Sequence, residues 1–138
     1  MTTERMPGRP APKTIRSPLG YVLRGLVTTI LVADAGACFS GSPWVAQDLA
    51  GLGIPPILLP VLGATMLACA LLYALPRTGF AGAILITGLL GGAILTHLRL
   101  AEFGTAPEIF CVLMGIATWG GLWLTDRRVK ALLLEGPA

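Results

Sequence analysis

Four long apolar runs, separated by short polar joints, take up most of the chain. A helix of about 20 apolar residues is long enough to cross the hydrocarbon core of a bilayer. We therefore predict an all-α fold, a membrane four-helix bundle. Its expected spans are residues 19–39, 56–75, 80–100 and 108–124.

The joints predict how the helices are connected. Pro76 to Gly79 forms a tight turn, so the second and third spans are expected to be antiparallel neighbours. Ser40 to Gly53 is longer and predicts a loop with a short interfacial turn. Outside the transmembrane domain at residues 19–125, residues 1–18 predict a flexible basic tail and residues 126–138 a basic cytoplasmic tail.

Composition supports a membrane protein. Of the 138 residues, 54% are hydrophobic and only 12% are charged, which is too apolar for a soluble domain of this size. The net charge of +3 comes mainly from the tails, so it indicates topology and lipid contact, and no nucleic-acid partner is expected. The expected partners are the lipid bilayer and either other membrane subunits or further copies of the chain.

The basic residues predict the orientation. All Lys and Arg residues except Arg99 lie in the tails, at the start of the first span or in the Pro76–Gly79 turn, so both termini are predicted to be cytoplasmic. Arg24 is expected to snorkel to the membrane surface where its span begins. Tyr73 is expected to anchor the end of the second span at the interface.

Three polar residues are expected to share one leaflet, with Glu108 just beyond it at the outer mouth. At a rise of 1.5 Å per residue, Asp34 lies roughly 7 Å from the middle of its span, and His97 and Arg99 lie roughly 10 to 13 Å from the middle of theirs, toward the same outer face. This depth predicts a polar pocket that opens outward. Its predicted residues are Asp34, Thr96, His97, Arg99 and Glu108.

Asp34 admits two interpretations. An unpaired ionised acid is costly inside a membrane, so it must be protonated, paired or exposed to a wet cavity. In the first interpretation, Asp34 and Arg99 form a buried ion pair that fixes helix packing. In the second, Asp34, His97 and Arg99 bind or protonate a small apolar ligand with polar oxygens, such as a quinone headgroup.

The chain offers few ligands for other chemistry. Cys38, Cys69 and Cys111 form no Cys-x-x-Cys pair and are expected to pack in apolar surroundings. The single histidine cannot supply both axial ligands of a bis-histidine haem. We therefore predict no catalytic residue, no metal site and no cofactor held by the chain's own ligands, and a quinone is the candidate ligand.

The third span contains a GxxxG motif. Gly88 and Gly92 form it, and Gly91 extends it. Small residues at this spacing allow two membrane helices to approach closely. We predict that these glycines pack the third helix within the bundle, with homodimerisation as the alternative.

Two segments resemble a known family. LLYALPRTGFAGAILITGLLGGAILTHLR, Leu71 to Arg99, is similar to the central signature of DoxX-like bacterial membrane proteins, and WGGLWLTDRRVKALL, Trp119 to Leu133, is similar to their final span. The resemblance implies a multi-pass protein of the bacterial inner membrane. Members are associated with quinol oxidases, thiosulfate oxidation and redox-stress complexes. Asp34 matches the family's acidic position, and Cys38 stands where many relatives carry a lysine.

The resemblance and the polar residues together favour one function over two others. We expect an accessory or quinone-associated subunit of a membrane redox complex, more consistent with a non-catalytic subunit than with a stand-alone enzyme. One alternative is a structural or assembly subunit of a larger membrane complex, without a ligand site. The other is a small proton-coupled exporter, because four spans with one membrane acid are typical of such transporters.

Overall fold

The computed structural model describes residues 17–126 and 128–130. Within these residues the chain forms helices and contains no β-strand. The helices are α1 (Pro18–Phe39), α2 (Pro43–Gly51), α3 (Leu59–Ala74), α4 (Gly79–Arg99) and α5 (Ala106–Thr125), with a 3-10 turn (Pro56–Leu58) before α3. Most of the predicted basic tails, residues 1–18 and 126–138, lies outside the described residues.

Four of the helices are long and apolar enough to cross a membrane. α1, α3 with its preceding turn, α4 and α5 contain 22, 19, 21 and 20 residues, which makes each about 30 Å long. Large apolar side chains cover their outer surface; Val22 is 64% exposed, Leu95 67% and Ile116 65%. Such a surface fits lipid better than water. The predicted all-α fold with four membrane-spanning helices is confirmed.

The four long helices form a ring. α1 packs against α3 and α5, and α4 packs against the same two helices. Successive long helices run in opposite directions, so the bundle has two distinct ends. The turn end holds the start of α1, the turn at residues 75–78 and the end of α5; the α2 end holds α2 and the α4–α5 connection. Which end faces the cytoplasm stays a prediction from the basic residues.

α2 differs from the loop predicted at Ser40 to Gly53. Pro43 occupies the first turn of this nine-residue helix, where its missing N–H does least harm. Val45 is buried with Cys38 and Leu59, while Trp44 is exposed. α2 therefore covers the ends of α1 and α3 with one apolar face.

A close contact between α4 and α3 lies at the turn end, away from the GxxxG motif. A Cβ atom added at Gly82 would lie 2.4 Å from the backbone nitrogen of Tyr73. At Gly88, Gly91 and Gly92 an added Cβ would meet nothing within 4 Å among the described residues. The prediction that these three glycines pack α4 within the bundle is therefore wrong. The small residue that brings α4 against α3 is Gly82.

The contrast between two glycines of α4 gives a stability test. Gly82→Ala is expected to lower the unfolding midpoint in detergent, because the new methyl group meets rigid backbone and overpacking costs about 1–3 kcal/mol. Gly88→Ala is the matched control, and it should leave the midpoint unchanged or slightly raised. Equal midpoints for the two variants would contradict the packing described here.

Candidate functional site

A cavity of about 500 Å³ lies between the helices, toward the α2 end. Its wall is mostly leucine, isoleucine, methionine and other apolar side chains from all five helices and the segment after α2. Three residues with polar side chains interrupt this wall: Asp34 from α1, and Thr96 and His97 from α4. The cavity is thus an apolar chamber with a small polar area, and three of the five predicted pocket residues line it.

Small residues of α4 leave room for the cavity. Gly88, Gly92 and Ala93 line it, and the missing side chains add to its volume. Gly91 lies on the same helix but is not part of the lining. Two glycines of the GxxxG motif therefore border open space, which explains why an added Cβ meets no neighbour there.

Asp34 is not paired with a basic side chain. Among the described residues, no Lys, Arg or His nitrogen lies within 4.0 Å of its carboxylate. Arg99 instead donates a hydrogen bond to the backbone oxygen of Leu52, over 3.2 Å, and does not line the cavity. The interpretation of Asp34 and Arg99 as a buried ion pair is therefore wrong. Cys38, where the resemblance places a lysine, is buried and supplies no cation.

His97 is held by a carboxylate from its own helix end. Its Nδ1 lies 2.7 Å from Oε2 of Glu102. The backbone causes this contact: Ala101 adopts φ 58°, and the N–H groups of Ala101 and Glu102 donate to the oxygens of Leu98 and His97. This pair of bonds is a Schellman motif, which reverses the chain directly after α4. This chain reversal places the Glu102 carboxylate next to the His97 ring.

Glu108 has a local role. Its Oε2 accepts a hydrogen bond of 2.7 Å from the backbone N–H of Gly104, just before α5 begins. A carboxylate at this position also favours the positive end of the helix dipole. Glu108 does not line the cavity, so the structure does not bring it together with Asp34 and His97.

A second polar cluster lies at the turn end. Arg24 donates to the backbone oxygen of Tyr73 and, over 3.2 Å, to Oγ1 of Thr125. Its guanidinium carbon lies 5.1 Å from the centre of the Tyr73 ring. Tyr73 is fully buried and donates to the backbone oxygen of Thr118 over 2.7 Å. The prediction that Tyr73 anchors an interface is therefore wrong. Arg24 is half-buried and lines a cavity at the end of the bundle where its span begins, so its prediction as a residue near the membrane surface stands.

The spacing of buried residues along α1 could have indicated the position of Arg24. Gly20, Val27 and Leu31 are buried, and Arg24 lies four residues after the first and three before the second. Residues at these intervals share one helix face. Arg24 therefore belongs to the face that packs inward, although its charge suggested the surface.

The fold and the cavity define a class: multi-pass membrane proteins built as a four-helix bundle. A family model described as the DoxX-like family matches residues 22–120, which cover all of α2, α3 and α4 and most of α1 and α5. The chain belongs to the DoxX-like family. Neither a curated protein nor a solved structure is significantly similar to it.

The hydrogen bond of Tyr73 gives a second stability test. Tyr73→Phe removes the bond to Thr118 and is expected to destabilise the protein by about 1 kcal/mol, seen as a lower unfolding midpoint in detergent. Tyr21→Phe is the matched control, because Tyr21 is 52% exposed and has no side-chain hydrogen bond among the described residues. An equal loss in both variants would argue against a role for the buried hydroxyl.

Proposed function

We propose that the chain is a quinone-associated accessory subunit of a redox complex in the bacterial inner membrane, and that the quinone binds in the α2-end cavity. The observation that carries the proposal is the combination of apolar lining and three polar residues in one chamber. Membership of the DoxX-like family supports a membrane location. The opening of the cavity toward the outer face follows from the predicted orientation and belongs to the proposal.

The chemistry of the lining suits a quinone. A quinone has an apolar ring and tail and two oxygens at opposite edges of the ring. The leucine, isoleucine and methionine side chains would surround the apolar parts, while Asp34, Thr96 and His97 offer polar atoms to an oxygen. Interconversion of quinone and quinol moves protons as well as electrons. Asp34 and the His97–Glu102 pair are the groups in this region that can give or accept a proton.

The part of this chain would be to bind and orient the quinone. Electrons would come from a partner subunit, so the proposed role is that of an accessory subunit. The Schellman motif after α4 supports this role, because it fixes Glu102 against His97 through backbone bonds and so holds the imidazole in one orientation.

Two glycines of α4 allow a test by filling the cavity. Gly88→Leu places a side chain in the chamber, and Gly91→Leu adds the same side chain outside it. We expect the purified wild-type protein to retain quinone, measured by solvent extraction and mass spectrometry. Gly88→Leu should lower the occupancy at least fivefold, and Gly91→Leu should leave it near the wild-type value.

The control variant makes the outcome interpretable. Both substitutions replace glycine by a better helix former, so neither should weaken α4 itself. Two outcomes would contradict the proposal. One is equal quinone occupancy in both variants, and the other is a wild-type protein that takes up no quinone from quinone-loaded liposomes.

The unpaired carboxylate of Asp34 favours one alternative, a small proton-coupled exporter. An acid that faces a cavity inside the membrane and has no basic partner among the described residues is suited to bind a proton or a cationic substrate. The cavity would then hold an apolar cation in place of a quinone.

Transport measurements separate this alternative from quinone binding. For an exporter, Asp34→Asn abolishes proton-driven efflux of a lipophilic cation such as ethidium from proteoliposomes. Asp48→Asn, which removes an exposed acid of α2 outside the cavity, should leave efflux unchanged. Absence of proton-driven efflux by the wild-type protein would exclude ethidium export.

A further inference from the structure

A second cavity, of about 290 Å³, lies at the turn end. Three parts of the chain form its wall: the first turns of α1, the α3–α4 turn, and the end of α5 with the residues after it. It is therefore separate from the α2-end cavity and shares no lining residue with it. Its lining residues are Tyr21, Arg24, Pro76, Arg77, Thr125, Asp126 and Arg128.

The lining carries a clear excess of positive charge. Its described residues carry three guanidinium groups, of Arg24, Arg77 and Arg128, and one carboxylate, of Asp126. Among the described residues, none of these arginines has a carboxylate within 4.0 Å. Asp126 instead accepts a hydrogen bond of 2.9 Å from the backbone N–H of Arg128. The described lining therefore carries more cationic than anionic groups, and none of its arginines forms an ion pair with a described carboxylate.

The three arginines differ in how firmly hydrogen bonds hold their side chains. Arg24 is fixed by its hydrogen bonds to Tyr73 and Thr125, so its positive charge has a fixed position in the wall of the cavity. Arg77 and Arg128 are exposed, and their guanidinium groups form no side-chain hydrogen bond to a described residue. Planar guanidinium groups match the oxygens of a phosphate and bind it in bidentate fashion.

We propose that the turn-end cavity binds the phosphate of an anionic phospholipid headgroup. Its position supports a lipid as the source, because the wall is built where four membrane-spanning helices begin or end, at the depth of the headgroups. Tyr21, an aromatic residue near the start of α1, lines the same cavity and suits this interface. Basic pockets between membrane helices are known to hold lipid headgroups in this way.

Native mass spectrometry of the full-length protein in detergent tests the proposal, with phosphatidylglycerol, phosphatidylcholine and inorganic phosphate as separate probes. The wild-type protein should bind phosphatidylglycerol more tightly than phosphatidylcholine. The double variant Arg77→Gln/Arg128→Gln should weaken phosphatidylglycerol binding roughly 25-fold, since each basic residue near an anionic surface contributes about a fivefold change.

Arg99→Gln is the matched control. It removes one exposed arginine at the α2 end, outside this cavity, and should change lipid binding less than threefold. Wild-type affinity in the double variant, an equal loss in Arg99→Gln, or no preference for phosphatidylglycerol over phosphatidylcholine would each overturn the proposal. Inorganic phosphate that binds as tightly as phosphatidylglycerol would overturn the lipid as the source and identify a site for free phosphate.

A gain of binding provides a second test that does not depend on the stability of the double variant. Asp126→Asn removes the one carboxylate of the lining and keeps an oxygen that can accept the bond from the Arg128 N–H. We expect about fivefold tighter binding of phosphatidylglycerol, and unchanged or weaker binding would contradict an electrostatic phosphate site.

Discussion

The bundle depends on the way in which one cation is accommodated among membrane-spanning helices. A guanidinium that loses water near the end of a membrane span is costly unless polar groups take the place of that water. Arg24 finds a backbone oxygen of α3, a hydroxyl of α5 and the face of the Tyr73 ring. Because these groups come from different helices, satisfying one side chain fixes the relative positions of α1, α3 and α5. Gly82 then brings α4 against Tyr73.

This arrangement divides the bundle into two halves with different physical character. At the turn end and near the middle of the spans, Tyr73, Ile86, Leu122 and Val27 are fully buried, and close glycine contacts bring the helices together next to the cavity that Arg24 lines. Toward the α2 end, glycines of α4 border a chamber and α2 lies across the helix ends. Asp34 of α1 lies toward the α2 end, and Arg24 of α1 lies at the turn end. Arg24 and Asp34, the two opposite charges of α1, therefore lie in different surroundings.

The sequence predicted the helices well because their signal is local. Apolar runs about 20 residues long, bounded by Pro and Gly, indicate spans without knowledge of any neighbour. It also predicted a pocket of Asp34, Thr96, His97, Arg99 and Glu108 from their depths along the helices; the first three line one cavity, and Arg99 and Glu108 do not. Partners could not be predicted in this way: Arg24 meets Tyr73 across 49 positions of sequence, and Arg99 turns to Leu52 across 47. The GxxxG motif misled for a related reason, because the spacing allows close approach but does not specify which surface a helix presents to its neighbour.

The polar contacts of Arg24 join the helices at the turn end of the bundle, and this has a mechanical consequence. The contacts of Arg24 join three helices at the turn end, whereas a cavity separates the helices around Asp34, so we expect local opening to begin around that cavity. α2, attached through Val45 and short connections, would follow this motion as a unit. Such local opening would widen the α2-end cavity while the contacts of Arg24 with Tyr73 and Thr125 are retained.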